Sequence, residues 1–246
     1  VNALTRQGGG PAANAAVAIA RLGGRAAFAG AVGDDALGRE QVAELSREGV
    51  DVSAVETARG APSFVSFILV DEADGARTIV SAPEPRPLAS GLADPLASPP
   101  DLVLVDGWGG AAQVRLARDA RARGVPLLLD AGSARPEVLE IAALADVVIA
   151  SEPFAEERAG PGRAGDALRL LLEGGARLAA VTLGARGALG GARGSASLFE
   201  VPALPIRAVD TTGAGDAFHG GAAFALASGW TWERSLRLGA FVAAAR

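Results

Sequence analysis

Apolar and polar residues alternate along this chain with two periods, and the period changes at regular intervals. From Pro11 to Leu22 an Ala-rich run reads as a buried helix, opened by Pro11 and stopped by Gly23-Gly24. A short strand, Ala26 to Val32, follows, and then Asp34 is placed to cap a second helix of about Asp35 to Glu48 that Gly49 ends. Ser63 to Val70 and Arg77 to Val80 read as a hairpin joined by Asp71-Glu72-Ala73-Asp74-Gly75, a turn of the Asp-Gly kind. Its apolar face suits a lid. Pro83 to Pro100 holds six prolines and reads as an extended connection.

The middle of the chain alternates strand and helix. Strands are expected at Leu102 to Val105, Val125 to Leu129, Val147 to Ile149 and Leu178 to Thr182, and helices near 111–123, 136–144 and 166–173. Such βα units make a parallel sheet sandwiched by helices, and the unbroken apolar strands suit a sheet covered on both faces. The strand exits are Asp106-Gly107, Asp130-Ala131-Gly132, Ser151-Glu152-Pro153 and Thr182-Leu183-Gly184. Open parallel sheets bind ligands outside these ends, so the four exits converge on one rim. Asp106 and Asp130, each taken alone, read first as ordinary loop starts.

Composition narrows the chemistry. The 246 residues carry a net charge of −5 with acids and bases interspersed, so neither a nucleic-acid face nor a polybasic membrane patch is expected. No apolar run reaches the roughly 18 residues of a membrane span, and a cytoplasmic location is expected. There is no Cys and one His, His219, so any metal is expected on oxygen ligands, which favours Mg²⁺ or K⁺. The sequence begins with Val and contains no Met, and it stops inside an apolar helical pattern, so a portion of a longer protein is expected.

Two glycine clusters carry candidate chemistry. Gly8-Gly9-Gly10-Pro11-Ala12-Ala13-Asn14 matches a dinucleotide fingerprint with Asp34 about twenty residues on, but the polar segment before Gly8 does not make the buried strand that fingerprint requires. It equally reads as a turn that brings backbone close to a small polar ligand, with Asn14 as donor and acceptor, or as a plain flexible turn. Asp210-Thr211-Thr212-Gly213-Ala214-Gly215-Asp216 precedes a run, Ala217 to Ala227, that reads as helix. The amides of Gly213, Ala214 and Gly215 would then be unpaired donors at the positive end of a helix dipole, suited to phosphate oxygens. Asp216 reads either as a base that takes a proton from an attacking hydroxyl or as a first-turn acid that stabilises the dipole. His219, three places on, reads as structural, and Trp230 and Trp232 as packing residues in a helix connection.

Asp210 to Phe218 resembles the carboxy-terminal signature of the ribokinase-like (PfkB) carbohydrate kinases, and Gly8 to Gly24 with Gly33-Asp34-Asp35-Ala36-Leu37-Gly38 resembles the amino-terminal one. Gly8 to Ala13, Ser151-Glu152-Pro153 and Gly215 to Gly220 resemble in particular the kinases of sulfonated fructose in that family, and some ketohexose-type members share its departure at Ser151 to Phe154. The resemblance spans the chain and implies a three-layer α/β sandwich with a mostly parallel central sheet and a small β lid, one kinase domain over residues 1–246 with the lid near 63–80. It implies ATP-dependent phosphorylation of a hydroxyl on a sugar or sugar-like molecule, with a nucleoside kinase or a non-catalytic binding member as alternatives.

Site roles follow from the same resemblance. Asp216 is the implied base, with Gly213, Ala214 and Gly215 as the anion hole. Gly9, Gly10, Asn14 and Asp34 are implied at the sugar, and Thr182, Gly184 and Ser151 along the nucleotide. Asp210 and Thr212 are implied for a monovalent cation, and Glu152 or Glu157 could take the place of the usual acid in the water shell of Mg²⁺. Many members carry Asn-x-x-Glu where this chain has Ser151-Glu152-Pro153-Phe154, so the usual acid is replaced by Phe154. A sugar-binding first strand before Val1 and an adenine-covering segment after Arg246 are implied. A homodimer through the lid is a further expectation.

Overall fold

The computed structural model describes residues 5–70, 77–81, 94–206 and 210–246. The elements are α1 (Pro11–Arg21), β1 (Gly30–Gly33), α2 (Ala36–Arg47), β2 (Val55–Ala58), β3 (Ser66–Val70), β4 (Arg77–Ser81), β5 (Val103–Val105) and α3 (Gly110–Arg123). The second half runs β6 (Leu127–Ala131), α4 (Pro136–Leu144), β7 (Val147–Ser151), α5 (Glu152–Ala159), α6 (Ala164–Glu173), β8 (Leu178–Thr182), β9 (Ala188–Ala192), β10 (Phe199–Val201), α7 (Ala214–Ala227) and α8 (Trp232–Ala245).

Six strands form the central sheet in the order β10-β9-β8-β7-β6-β5. β5 to β8 are mutually parallel, as the βα alternation requires, while β9 and β10 close one edge antiparallel. The side-chain alternation of β6 explains the three layers. Leu127 and Leu129 pack into the core formed with α3 to α6, and Leu128 packs into the opposite core with Phe218 of α7 and Leu236 of α8. β7 divides in the same way, with Val148 and Ala150 on one face and Val147 and Ile149 on the other. A strand buried on both faces has no polar side to show, and this is why these runs are apolar throughout.

Several sequence expectations shift. The strand expected at Ala26 to Val32 is β1, confined to Gly30–Gly33, and Ala27 makes only an isolated bridge to Asp51. Asp35, not Asp34, caps α2, accepting from Gly38 N–H at 2.8 Å. The antiparallel edge is new, because Ala-Leu-Gly-Gly-Ala has no strand-like pattern. Phe199 and Leu236 fill the side-chain space at Gly190, so glycine there serves packing. Helix α5 takes the place of a simple strand exit: Ser151 caps it and Pro153 lies in its first turn. Trp232 begins α8 rather than lying in a connection, and it is a packing residue as expected, its Nε1–H donating to the Gly191 carbonyl at 3.1 Å.

The hairpin forms with β3 and β4 antiparallel, Ile68 opposite Ile79, while its turn at 71–75 lies outside the described residues, as does most of the proline-rich connection. Among the described residues no helix is long and apolar enough to cross a membrane.

Candidate active site

Four parallel strands end on one rim. Ser151 at the end of β7 donates through Oγ to the Gly132 carbonyl at 3.0 Å and accepts from Phe154 N–H at 3.2 Å, so one hydroxyl joins two strand exits and caps α5. Thr182 at the end of β8 donates to the Ala150 carbonyl at 3.3 Å, and Gly184 opens a short turn just beyond it.

Two helices bring their amino ends to this rim. α1 and α7 cross at Gly220, where a Cβ would sit 2.6 Å from the Ala15 carbonyl oxygen and 2.7 Å from Ala18 Cβ. Only glycine admits that approach. Its consequence lies one turn earlier in both helices: Asn14 Nδ2 donates to Asp216 Oδ2 at 2.6 Å, across 202 residues of sequence. The two glycine clusters therefore make one site.

Gly213, in the left-handed region at φ 74°, turns the chain into α7 without a side-chain cap. The Ala214 N–H donates to the Thr211 carbonyl at 3.1 Å. The expected three-amide cradle is thus reduced, in this conformation, to Gly213 and Gly215 as its candidate donors. Gly215 is exposed and Asp216 half-buried, so the turn is open to a ligand.

Gly10, at φ 103°, likewise gives α1 no side-chain cap. Asp106, from the end of β5, supplies one: its Oδ2 accepts from Ala12 N–H at 3.1 Å, while Oδ1 accepts from Trp108 N–H and Gln113 Nε2. Sequence reasoning misses this clamp, since a helix with no local cap does not say which distant carboxylate replaces it. The same applies to Arg135, whose guanidinium stacks 4.1 Å from the half-exposed Trp108 ring and donates to the Gly107 carbonyl.

Asp130, near the end of β6, is buried beside His219. Burial pushes its carboxyl up to about 6, opposed by His219 and reinforced by the carboxylates of Asp216 and Asp106. Three acids therefore feel one another at the centre of the rim.

The remaining expected residues are less convergent. Asp34 is exposed at the end of β1, its N–H bonded to the Ala61 carbonyl. Glu152 is engaged by Arg186, and Glu157 accepts from Ala134 N–H at 2.8 Å. Phe154 is fully buried in the core with α6, so that position presents no group to a metal. Asp210 Oδ1 accepts from Thr212 N–H at 2.8 Å, and the buried Thr212 Oγ1 has no hydrogen-bond partner among the described residues.

Residues 1–246 match the pfkB family of carbohydrate kinases. The chain is 33% identical to fructokinase-1 of Oryza sativa subsp. japonica, covering 89% of this chain and 73% of that protein. It is 32% identical to aminoimidazole riboside kinase of Salmonella typhimurium, covering 96% and 78%. The structure of Arabidopsis thaliana ribokinase complexed with ribose and ATP superposes with a TM-score of 0.83 at 25% identity, over 96% of this chain and 80% of that one. With the two glycine clusters joined through Asn14 and Asp216 and the family match running from end to end, the chain belongs to the pfkB family of carbohydrate kinases.

Proposed function

We propose that this chain transfers the γ-phosphoryl group of ATP to a hydroxyl of a sugar or sugar-like alcohol, with Asp216 as the base. The observation that carries this reading is the Asn14–Asp216 contact at the amino end of α7. Asn14 engages Oδ2 and so leaves Oδ1 for the substrate. The hydroxyl proton passes to Asp216, the freed oxygen forms a bond to the γ-phosphorus, and the bond from that phosphorus to the bridging oxygen breaks as ADP leaves. The Gly213 and Gly215 amides, at the positive end of the helix, stabilise the transferring group. Ala214 joins them if ATP draws its amide away from Thr211.

Gly9, Gly10 and Asn14 face the acceptor, and Ser151, Thr182 and Gly184 line the nucleotide's course along the strand ends. Asp34, exposed beyond β1, reaches the acceptor only if the region between α1 and the hairpin closes. Asp210 and Thr212 fit a monovalent cation, because the buried Thr212 Oγ1 is a polar atom in need of a partner. Mg²⁺, when bound, neutralises phosphate charge. Glu152 or Glu157 would enter its water shell only by leaving Arg186 or the Ala134 amide. The hairpin β3–β4 serves as lid over the acceptor, and its other face suits a second copy of the chain.

An ATP-consumption screen over ketohexoses, pentoses, nucleosides and sulfonated sugars, run beside Asp216→Ala, tests the reading. Turnover with one class that vanishes in the variant supports it. Turnover that survives in the variant removes Asp216 as the base.

A further inference from the structure

His219 lies on α7 one turn beyond Gly215, is 4% exposed, and has oxygen facing both ring nitrogens. Nδ1 is 2.7 Å from the Gly215 carbonyl. Nε2 is 3.2 Å from the Ile149 carbonyl of β7 and 3.3 Å from Asp130 Oδ1 of β6. Carbonyl oxygens only accept hydrogen bonds, so Nδ1–H serves Gly215 and Nε2–H serves Ile149, with Asp130 sharing the second proton. A ring that donates from both nitrogens is a cation, and a buried cation needs a counter-charge. Asp130 is the carboxylate in reach.

We propose that Asp130 and His219 form a buried ion pair that positions the phosphoryl cradle, Nδ1–H fixing the Gly215–Asp216 peptide while Nε2–H ties it to the ends of β6 and β7. The proposal rests on Asp216 being the base. The need for such a brace is visible in the sequence of the first turn. Gly213-Ala214-Gly215 is conformationally permissive and α7 has no side-chain cap, so local support comes from the Ala214–Thr211 backbone bond and the Thr212–Asp210 bond. His219 reaches back from the second turn and anchors it to two central strands. The pair acts through other groups and makes no contact with substrate, so these are positioning residues. A misplaced base or amide by about 1 Å costs as much as roughly 10²-fold in rate, which is the scale available to such a brace.

Charge supports the assignment. The groups facing the pair are Asp106 from β5, Asp216 from α7 and, from α1, the neutral Asn14 amide bound to Asp216. Without the cation, the Asp130 carboxylate would be buried beside those of Asp216 and Asp106. With it, the pair is neutral. Asp130 titrates near 6 through burial first, and its protonation below that pH removes the counter-charge. Turnover therefore has an acid limb near pH 6 that belongs to the pair.

His219 is the one histidine of the 246-residue sequence, so its ring nitrogens can be read directly by ¹⁵N NMR and identified by their loss in His219→Gln. Above the Asp130 transition, at about pH 7.5, the expected result is a doubly protonated ring in the unmodified protein and in Asp216→Ala, and a neutral ring in Asp130→Asn. In kinetics, His219→Gln and Asp130→Asn each lower kcat by about tenfold or more with both KM values within about twofold, and Asp130→Asn loses the acid limb. Circular dichroism on each variant separates this from unfolding. A neutral ring in the unmodified protein, a ring unchanged by Asp130→Asn, or kcat within about twofold in both folded variants overturns the pair. Because the ring state is read without turnover, a failure of Asp216 as base leaves that result standing and is distinguished from it.

Discussion

β6 and β3 are both five-residue strands of strongly apolar sequence, and their surroundings are opposite. Leu-Leu-Leu-Asp-Ala of β6 is buried at every position, between β5 and β7 and between two helical layers. Ser-Phe-Ile-Leu-Val of β3 is exposed at every position and has β4 as its sole strand partner among the described residues. Phe67 and Leu69 on one face are 65% and 58% exposed, and Ile68 on the other face is 39% exposed. The central strand's apolar residues are used up in the fold. Those of the hairpin stay exposed, as the proposed lid shared with a second copy would require. On the proposed function, stability resides in one region and access to the site in the other, with the chemistry at the rim of the first.

The largest effect should come from that rim. Asp216→Ala is expected to lower kcat by roughly 10²- to 10⁴-fold while leaving the melting temperature close to that of the unmodified protein. A comparable loss of turnover from any hairpin substitution would move chemistry out of the rim and undo the division. Steady-state kinetics with thermal melting on the same samples decides it.

Next in size is the direct contrast of the two strands. Leu129→Ala in β6 removes a fully buried side chain and is expected to cost about 2–5 kcal/mol in denaturant unfolding. The double change Phe67→Ser with Leu69→Ser in β3 is expected to cost no more than about 0.5 kcal/mol, because those side chains lie in water already. Its effect should instead be weaker self-association in sedimentation. If the hairpin variant loses stability as Leu129→Ala does, the hairpin belongs to the core and the comparison fails.

The same contrast governs how much of the molecule is legible in its sequence. The parallel strands β5 to β8 are legible because continuous apolar runs, each followed by Asp, Ser or Thr at regular spacing, fit little besides a sheet covered on both faces. The Asn14–Asp216 meeting is legible only through the resemblance of both glycine clusters to one family. What brings them together physically is Gly220, whose small size at a helix crossing looks in the sequence like any other glycine. Asp106 looks like a loop start because its partner, the Ala12 amide, lies 94 residues away. β9 is hidden since its glycines make room for Phe199 and Leu236 rather than display a pattern. The antiparallel hairpin is legible from its turn and its alternation, but the pattern suggests one apolar face and both are exposed, since hydrophobicity states that a surface is to be covered and not by what.

The smallest effect concerns how the two regions respond to acid, and it has opposite signs. Asp35 holds the base of the hairpin: its carboxylate accepts from Ser63 Oγ at 2.6 Å, Ser63 N–H at 2.8 Å and Gly38 N–H at 2.8 Å. These bonds, those from Ser63 foremost, depress it to about 2. A depressed carboxyl binds its proton more weakly in the folded chain, so its contribution is present above the ordinary carboxylate range and is lost as pH falls toward 2. Asp130, raised to about 6, binds its proton more tightly when folded, so its contribution is present at low pH and is lost as pH rises from the ordinary range through 6. Between these ranges stability at the site falls with rising pH while that of the hairpin base has reached its plateau. Hydrogen exchange followed from pH 5 to pH 7 should therefore show protection in β6 declining as that around Ser63 holds steady. Asp35→Asn should weaken protection around Ser63 and leave the trend in β6 in place. Parallel pH trends in the two regions would mean that they open as one unit.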